Sequence, residues 1–121
     1  MESILTSIKK LMGIPKEHTS FDQDIIMHIN TVFLILNQIG VGPDNVFAIS
    51  SDVETWNDFL GNDETELNAV KTYIYLKVRL IFDPPQSSSF MEAIKSNISE
   101  LEWRLNSQVD RGKEKEWPTD I

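Results

Sequence analysis

Apolar residues recur at helical spacing in four stretches of the chain, and turn-forming residues separate these stretches. An amphipathic helix places apolar side chains every three or four residues, so that they form one buried stripe. The pattern predicts helices over residues 2–12, 20–40, 63–83 and 87–106. The sequence therefore predicts an all-α fold, a small bundle of four main helices with a short irregular segment and a flexible C-terminal tail.

Capping signals set the ends of these predicted helices. Ser20, followed three residues later by Gln23, has the capping-box pattern, and Gly40 suits a left-handed C-terminal residue. Asp83 precedes two prolines, and a helix cannot easily continue into the residue before a proline. Serines at 87–89 supply the N-cap of the last helix.

The second helix carries more apolar residues than one stripe can hold. Met27, Leu34 and Ile35 lie outside its main stripe. A helix that is apolar over so wide an arc is expected to be covered on more than one side.

Residues 44–62 form the least regular part of the chain. Residues 47–49 favour a short extended piece, and Ser51 with Glu54 forms a second candidate capping box. This box would lead into one or two helical turns that contain Trp56 and Phe59.

The last helix has a spacing typical of antiparallel packing, because its apolar residues are separated alternately by three and four positions. These residues are Met91, Ile94, Ile98, Leu101 and Leu105. The periodicity fails from Ser107 onward, which predicts a helical domain over residues 1–106 and a flexible tail over residues 107–121.

Composition excludes several classes of protein. The 121 residues suit one domain, and the absence of cysteine excludes disulfides and thiolate metal sites. The longest apolar run is too short to cross a bilayer, and the N-terminus lacks the order of a signal peptide, so we expect a soluble intracellular protein without membrane contact. The isoelectric point of about 4.6 argues against a simple nucleic-acid binder.

The net charge of -8 is unevenly distributed. No Lys or Arg occurs between Lys16 and Lys71, whereas ten Asp and Glu residues fall in this interval. The remainder of the chain is nearly neutral. An acidic surface that only aids solubility would give the same distribution, so the charge alone does not define a function.

Catalytic chemistry is not indicated by the sequence. The two histidines are His18, in a predicted linker, and His28, inside the second helix beside apolar residues. The chain contains no EF-hand spacing, no P-loop and no dinucleotide-binding motif. We therefore predict that the protein is not an enzyme and that it uses no cofactor or metal.

Two groups of residues point instead to an interface. Lys71, Tyr75 and Arg79 recur every four residues and form a basic, aromatic ridge, while Trp103 lies about 150° from the apolar seam of its helix. Trp, Tyr and Arg dominate protein–protein hot spots. The alternative is that Trp103 packs on the first helix and the ridge is ordinary surface.

The ordered combination of several segments resembles the small head-tail connector proteins (head completion or adaptor proteins) of long-tailed bacteriophages. The similar segments are SIKKLMGIP, SFDQDIIMHINTVFLILNQIGVGP, TWNDFLG, KTYIYLKVRLIFDPP and FMEAIKSNISELEWRLN. The resemblance covers roughly residues 4–106.

This resemblance implies a structural virion protein, made in the host cytoplasm, that assembles with itself into a ring, expected to be dodecameric. The ring would lie beneath the portal protein at the head-tail junction, extend the DNA channel, and dock the next connector or a tail-completion protein. DNA would pass without specific binding, because acidic walls repel phosphates. The candidate channel-lining acids are Asp44, Asp52, Glu54 and Asp58.

The resemblance also assigns roles to the interface candidates. The subunit interface would use Lys71, Tyr75, Arg79 and Trp103, and Trp117 in the tail would dock onto a partner. The main alternative is an acidic DNA-mimic or inhibitor protein that binds a nucleic-acid enzyme. A helix-turn-helix regulator is a weaker alternative, because no candidate helix is a basic recognition helix.

Overall fold

A computed structural model describes residues 2–61 and 65–115, without the side chains of 108 and 110–115. It contains five helices, and the described residues form no strand. These helices are α1 (Ile4–Leu11), α2 (Asp22–Ile39), α3 (Trp56–Leu60), α4 (Leu67–Phe82) and α5 (Ser88–Lys115). The predicted all-α bundle of four main helices with a short irregular segment is confirmed.

Helix α4 lies at the centre of the bundle and packs against α1, α2 and α5. Helix α2 runs antiparallel to α4, since Phe21 before the start of α2 contacts Phe82 at the end of α4, with 5.4 Å between ring centroids. Helix α5 returns along α4 until Val109 lies against Gly40, just after α2. The α4–α5 hairpin thus brings the start of α5 to the same end of the bundle as the start of α2.

The predicted apolar stripes form the core. On α4 the fully buried residues include Val70, Tyr73, Ile74 and Val78, and on α5 they include Leu105. Ile94 and Ile98 on α5 are also buried, as the predicted seam requires. The predicted end of α2 and the predicted cap of α5 hold as well, because Gly40 is left-handed with φ 99° and the hydroxyl of Ser87 accepts a hydrogen bond from the N–H of Phe90.

Both predicted capping boxes are wrong. The N-cap of α2 is Phe21, with no side-chain cap, and the chain enters the helix through a turn in which Asp22 N–H donates to the carbonyl of Thr19. The capping box of α3 is Thr55 with Asp58 rather than Ser51 with Glu54. In each case tertiary contacts of the preceding loop fix where the helix begins.

Helix α5 does not end at the predicted boundary of residue 106 but continues to Lys115. Val109 follows Leu105 by one turn and packs against the core, which supports the extra length. The division into a helical connector domain over residues 1–106 and a flexible tail over residues 107–121 stays a prediction. Trp117 lies outside the described residues.

A buried ammonium group ties α1 to the start of α2. Lys9 is only 2% exposed, and its Nζ donates to the carbonyl oxygens of Lys16, at 3.1 Å, and His18, at 2.7 Å. The same Nζ lies 2.8 Å from Oδ1 of Asp22. The buried charge therefore has two hydrogen-bond acceptors and one carboxylate of opposite charge, which lowers the cost of burying it.

We expect Lys9→Ala to lower the free energy of unfolding by about 3 kcal/mol, because it removes the donor to two loop carbonyls and the positive charge beside the Asp22 carboxylate. Urea denaturation followed by circular dichroism measures this loss. The control is Lys10→Ala, since the neighbouring Lys10 is exposed and its truncation should change stability by less than about 0.5 kcal/mol. Equal losses in both variants would contradict a role for the buried ammonium group.

Candidate subunit-contact surfaces

The irregular segment between α2 and α4 is anchored at Trp56. The Trp56 side chain is buried, and its indole Nε1 donates to the hydroxyl of Ser7, at 2.9 Å. Beside it the N–H of Ile4 donates to the carbonyl of Glu54, at 3.0 Å. These contacts fix the segment against the start of α1.

A second anchor consists of aromatic rings and one amide side chain. Phe47 and Phe59 each pack against the buried ring of Phe33 on α2, with centroid distances of 5.1 and 4.6 Å. The amide of Asn30 both accepts from the N–H of Ile49, at 2.7 Å, and donates to its carbonyl, at 2.9 Å. Asn30 thereby satisfies the backbone of an extended residue as a neighbouring strand would.

An apolar groove lies between α2 and this extended segment. Phe47 and Ile49 turn toward the core, whereas the alternate residues Val46 and Ala48 face solvent, as the period of an extended chain requires. With Met27 and Leu34 of α2, Val46 and Ala48 line a groove of about 720 Å³. Met27 is 58% exposed, Val46 50% and Leu34 46%. The sequence predicts that α2 is covered on more than one side, and on this side the covering is incomplete. We call these four residues the α2 groove.

The predicted ridge lies along α4 beside α1, and its three residues differ in their surroundings. Lys71 is used within the subunit, since its Nζ lies 5.7 Å from the ring centroid of Trp56 and 3.9 Å from Oε1 of Glu2. Arg79 donates to the hydroxyl of Tyr75, at 3.2 Å. Lys71 therefore helps to hold the fold together, whereas Arg79 lies at the end of the ridge.

A second apolar surface surrounds Arg79. Its guanidinium carbon lies 5.0 Å from the ring centroid of Phe90, and Arg79 shares a cleft with Leu11 of α1. Leu11 and Phe90 are both nearly half exposed. Arg79 forms no ion pair with any side chain that the structure describes. We call Leu11, Arg79 and Phe90 the Arg79 surface.

Trp103 projects from the outer face of α5 and is 69% exposed. A side chain this exposed is not buried against α1, as the first part of the alternative requires, whereas the role of the ridge stays a prediction. Its place away from the seam follows from helical geometry, and its exposure leaves it available to a partner.

The four predicted channel-lining acids lie in different environments. Oδ2 of Asp58 accepts from the N–H of Thr55, at 2.8 Å, and the Glu54 carboxylate accepts from the N–H groups of Ser50 and Ser51. Both acids therefore hold local structure. The side chains of Asp44 and Asp52 are exposed.

Asp44 and Asp52 also lie at opposite ends of α2. The Asp44 carbonyl accepts from the Asn37 side chain near the end of the helix, whereas Asp52 lines a cleft with Asp22 at its start. Residues 22 and 37 are about 22 Å apart along a helix. The predicted acids are therefore spread along the subunit rather than collected at one point.

Local hydrogen bonds lower the pKa of two carboxylates. Burial would raise the pKa of Glu54, but hydrogen bonds from the N–H and hydroxyl of Ser50 and from the N–H of Ser51 outweigh it and lower the pKa. The hydroxyl of Ser7 lowers the pKa of Glu2 against the effect of burial, and the charge of Lys71 adds to this. On α4, burial and the nearby Glu102 carboxylate raise the pKa of Tyr73.

A lowered pKa in the folded state stabilises the protein above the pKa of the unfolded chain, and this contribution is lost as the pH falls through the folded value. We therefore expect Glu54→Gln to lower stability at pH 7 and to make the decline in stability below about pH 4.5 shallower. Unfolding midpoints measured between pH 7 and pH 3 test this. Glu17→Gln, in an exposed loop, is the control. An unchanged pH profile for Glu54→Gln would contradict the assignment.

The two described tryptophans should respond oppositely to truncation. We expect Trp103→Ala to change the free energy of unfolding by less than about 0.5 kcal/mol, because the side chain is exposed. Trp56→Ala should lower it by about 3–5 kcal/mol, since it opens a cavity and removes the indole donor to the Ser7 hydroxyl. Denaturant unfolding measures both. A large loss in Trp103→Ala would show that Trp103 belongs to the core.

The described residues contain no group of three or more His, Cys, Asp or Glu side chains arranged to hold a metal ion. Among the described helices, none has the length and apolar character needed to span a membrane. What the described surface does offer is a pair of exposed apolar surfaces, the α2 groove and the Arg79 surface, and an isolated exposed tryptophan. These features belong to a small helical protein whose described surface is suited to contact with other proteins.

Comparison with known families gives this class a more specific identity. Residues 4–112 match the sequence model of a family described as phage connector protein. The match covers most of the chain, so the protein belongs to the phage connector family and is a structural component of the phage particle. No curated protein and no solved structure gives a significant match. Connector membership implies contact with other head or tail proteins of the phage, which the acidic-mimic alternative would not require.

The sequence singled out Arg79 and Trp103 but missed the groove. Met27 and Leu34 were visible as surplus apolar residues on the second helix, and residues 47–49 were visible as an extended piece. What the sequence could not show is that Asn30 brings these two elements side by side. A surplus apolar face on a helix is the signal that could have located the groove.

Proposed function

We propose that this protein forms a closed ring beneath the portal protein, extends the DNA channel, and docks the next connector or tail-completion protein. Membership of the phage connector family over residues 4–112 carries the proposal. In a ring each copy contacts one neighbour through one surface and the other neighbour through a different, complementary surface. The ring closes when the rotation from copy to copy returns to the first subunit.

The exposed interface candidates support assembly. Trp103 and Arg79 are residue types that contribute strongly to protein–protein binding, and Tyr75 orients Arg79 through its hydroxyl. Lys71 supports the same ridge from within the subunit through Trp56 and Glu2. Trp117 is the candidate contact for the portal or the next connector.

The acidic half of the chain suits a DNA conduit. Asp44 and Asp52 carry exposed carboxylates, and no Lys or Arg occurs between residues 16 and 71 to hold a phosphate there. A wall with this charge repels the duplex and leaves it free to slide, whereas cations would retain it by counterion release. Glu54 and Asp58 add negative charge while they hold their local structure.

A gene-deletion experiment tests the proposed function. Phage that lack this protein should accumulate DNA-filled heads and separate tails, and purified protein added to the lysate should restore joined infectious particles. Electron microscopy and plaque counts report the two outcomes. Normal joining of heads and tails without the protein would contradict the proposal.

The proposed channel wall predicts a specific defect. Asp44→Lys combined with Asp52→Lys should slow DNA ejection and lower infectivity, because added cations bind passing phosphates. The matched control is Asp44→Asn with Asp52→Asn, which removes charge without adding cations and should have the smaller effect. Ejection kinetics from purified particles measure the difference. Wild-type ejection by the Lys variant would remove these two residues from the channel wall.

A further inference from the structure

The α2 groove is an apolar surface with an acidic border. Asp24 lies one turn before Met27, lines the groove, and forms no ion pair within the described part of the chain. The sequence between residues 16 and 71 contains no Lys or Arg that could pair with it. A partner that covers the groove should therefore present apolar side chains with a positive charge beside them.

The Arg79 surface of the same chain has these properties. Leu11 and Phe90 provide exposed apolar area on either side of Arg79, and the Tyr75 hydroxyl and the Phe90 ring hold the guanidinium in place. A guanidinium held in one position loses less entropy on binding than a free one. Asp83 lines the same cleft, but among the described side chains Arg79 forms no ion pair, so it is a preorganised cation that can still pair with a carboxylate.

The two surfaces lie on opposite sides of the bundle. At 100° per residue, Met27 is about 160° from the buried Ile29 on α2, and Arg79 is about 140° from the buried Ile74 on α4. Helices α2 and α4 pack against each other through their buried faces. One subunit therefore cannot bring its own Arg79 surface into its own groove.

The two surfaces also lie at the same height. The contact between Phe21 and Phe82 places the start of α2 level with the end of α4, so Asp24 and Arg79 are near the same end of the bundle. A second copy placed beside the first, without a shift along the bundle axis, brings its Arg79 to the level of Asp24.

We propose that the α2 groove of each subunit receives the Arg79 surface of a second copy, with Arg79 opposite Asp24 and Phe90 against Met27. This inference rests on the proposed ring, and it specifies which surfaces form the subunit contact. The contact is heterologous, because each copy uses one surface on one side and the other surface on the opposite side. A chain of such contacts closes into a ring when the rotation from each copy to the next returns to the first subunit.

Cysteine cross-linking tests the contact directly, since the natural chain contains no cysteine. Met27→Cys protein and Phe90→Cys protein are purified separately, mixed, and treated with a short bifunctional maleimide over a concentration series. We expect a cross-linked dimer in the mixture and none with either variant alone. In Phe90→Cys mixed with Val53→Cys, an exposed residue that does not line the groove, we expect no dimer.

Three results would overturn the inference: no 27–90 cross-link at any concentration, equal cross-linking through residue 53, or efficient dimers from one variant alone. Both substituted residues are exposed, and circular dichroism verifies that the variants fold. If heads and tails join only when the protein is present but the 27–90 cross-link does not form, then the proposed function stands and only this contact is wrong. If joining does not depend on the protein, the proposed function itself is wrong.

A charge exchange provides an independent test. Asp24→Arg and Arg79→Glu should each weaken self-association by about tenfold, and the double variant should recover most of the loss because the pair is restored in reverse. Asp24→Arg combined with Arg104→Glu should not recover, since Arg104 pairs with Glu100 on α5. Sedimentation or native mass measurements report the association. Failure of the double variant to recover would contradict the pairing.

Discussion

The segment from Val41 to Gly61 must bury three large side chains and partly bury a fourth, Phe47, without a ladder of backbone hydrogen bonds. The surfaces of the protein depend on how it does so. Trp56 is fixed by Ser7, and Phe47 and Phe59 pack on Phe33. Asn30 satisfies the backbone of Ile49. Side-chain contacts thus replace regular structure, and they decide which residues remain exposed.

The close packing of this segment extends to its turn. A β-carbon on Gly42 would lie 2.5 Å from the ring of Phe59, and its φ of 93° is one that other residues rarely adopt. The turn after α2 therefore brings Phe59 directly onto the backbone. As a result the chain turns back along α2, so that Val46 and Ala48 form one wall of the groove.

Charge is organised around the same elements. Lys9 of α1 places a positive charge beside the start of α2. Its ammonium group is buried and held by Asp22 and two carbonyls, so it is not available at the surface. Arg79, on the opposite side of the bundle, is held by neutral partners. Each subunit therefore presents an acidic apolar side and a basic apolar side, a distribution that favours side-by-side association of identical copies.

The helices and their buried faces were predictable from the sequence because a helical stripe is a local property. The apolar stripes, the stop at Gly40, the Ser87 cap and the exposure of Trp103 all follow from spacing and residue type. The N-cap of α2, the Thr55–Asp58 capping box and the extension of α5 through Val109 depend on contacts between distant residues, and the sequence misplaced all three. The groove was missed for the same reason, since α2 and residues 46–48 are joined only by tertiary contacts.

Assembly into a ring is the central claim, and native mass spectrometry tests it most directly. The purified protein is measured over a concentration series, alone and with the portal protein of the same phage. The account predicts one closed ring of defined mass, present either alone or when the portal is added. A monomer or simple dimer that does not respond to the portal would contradict it.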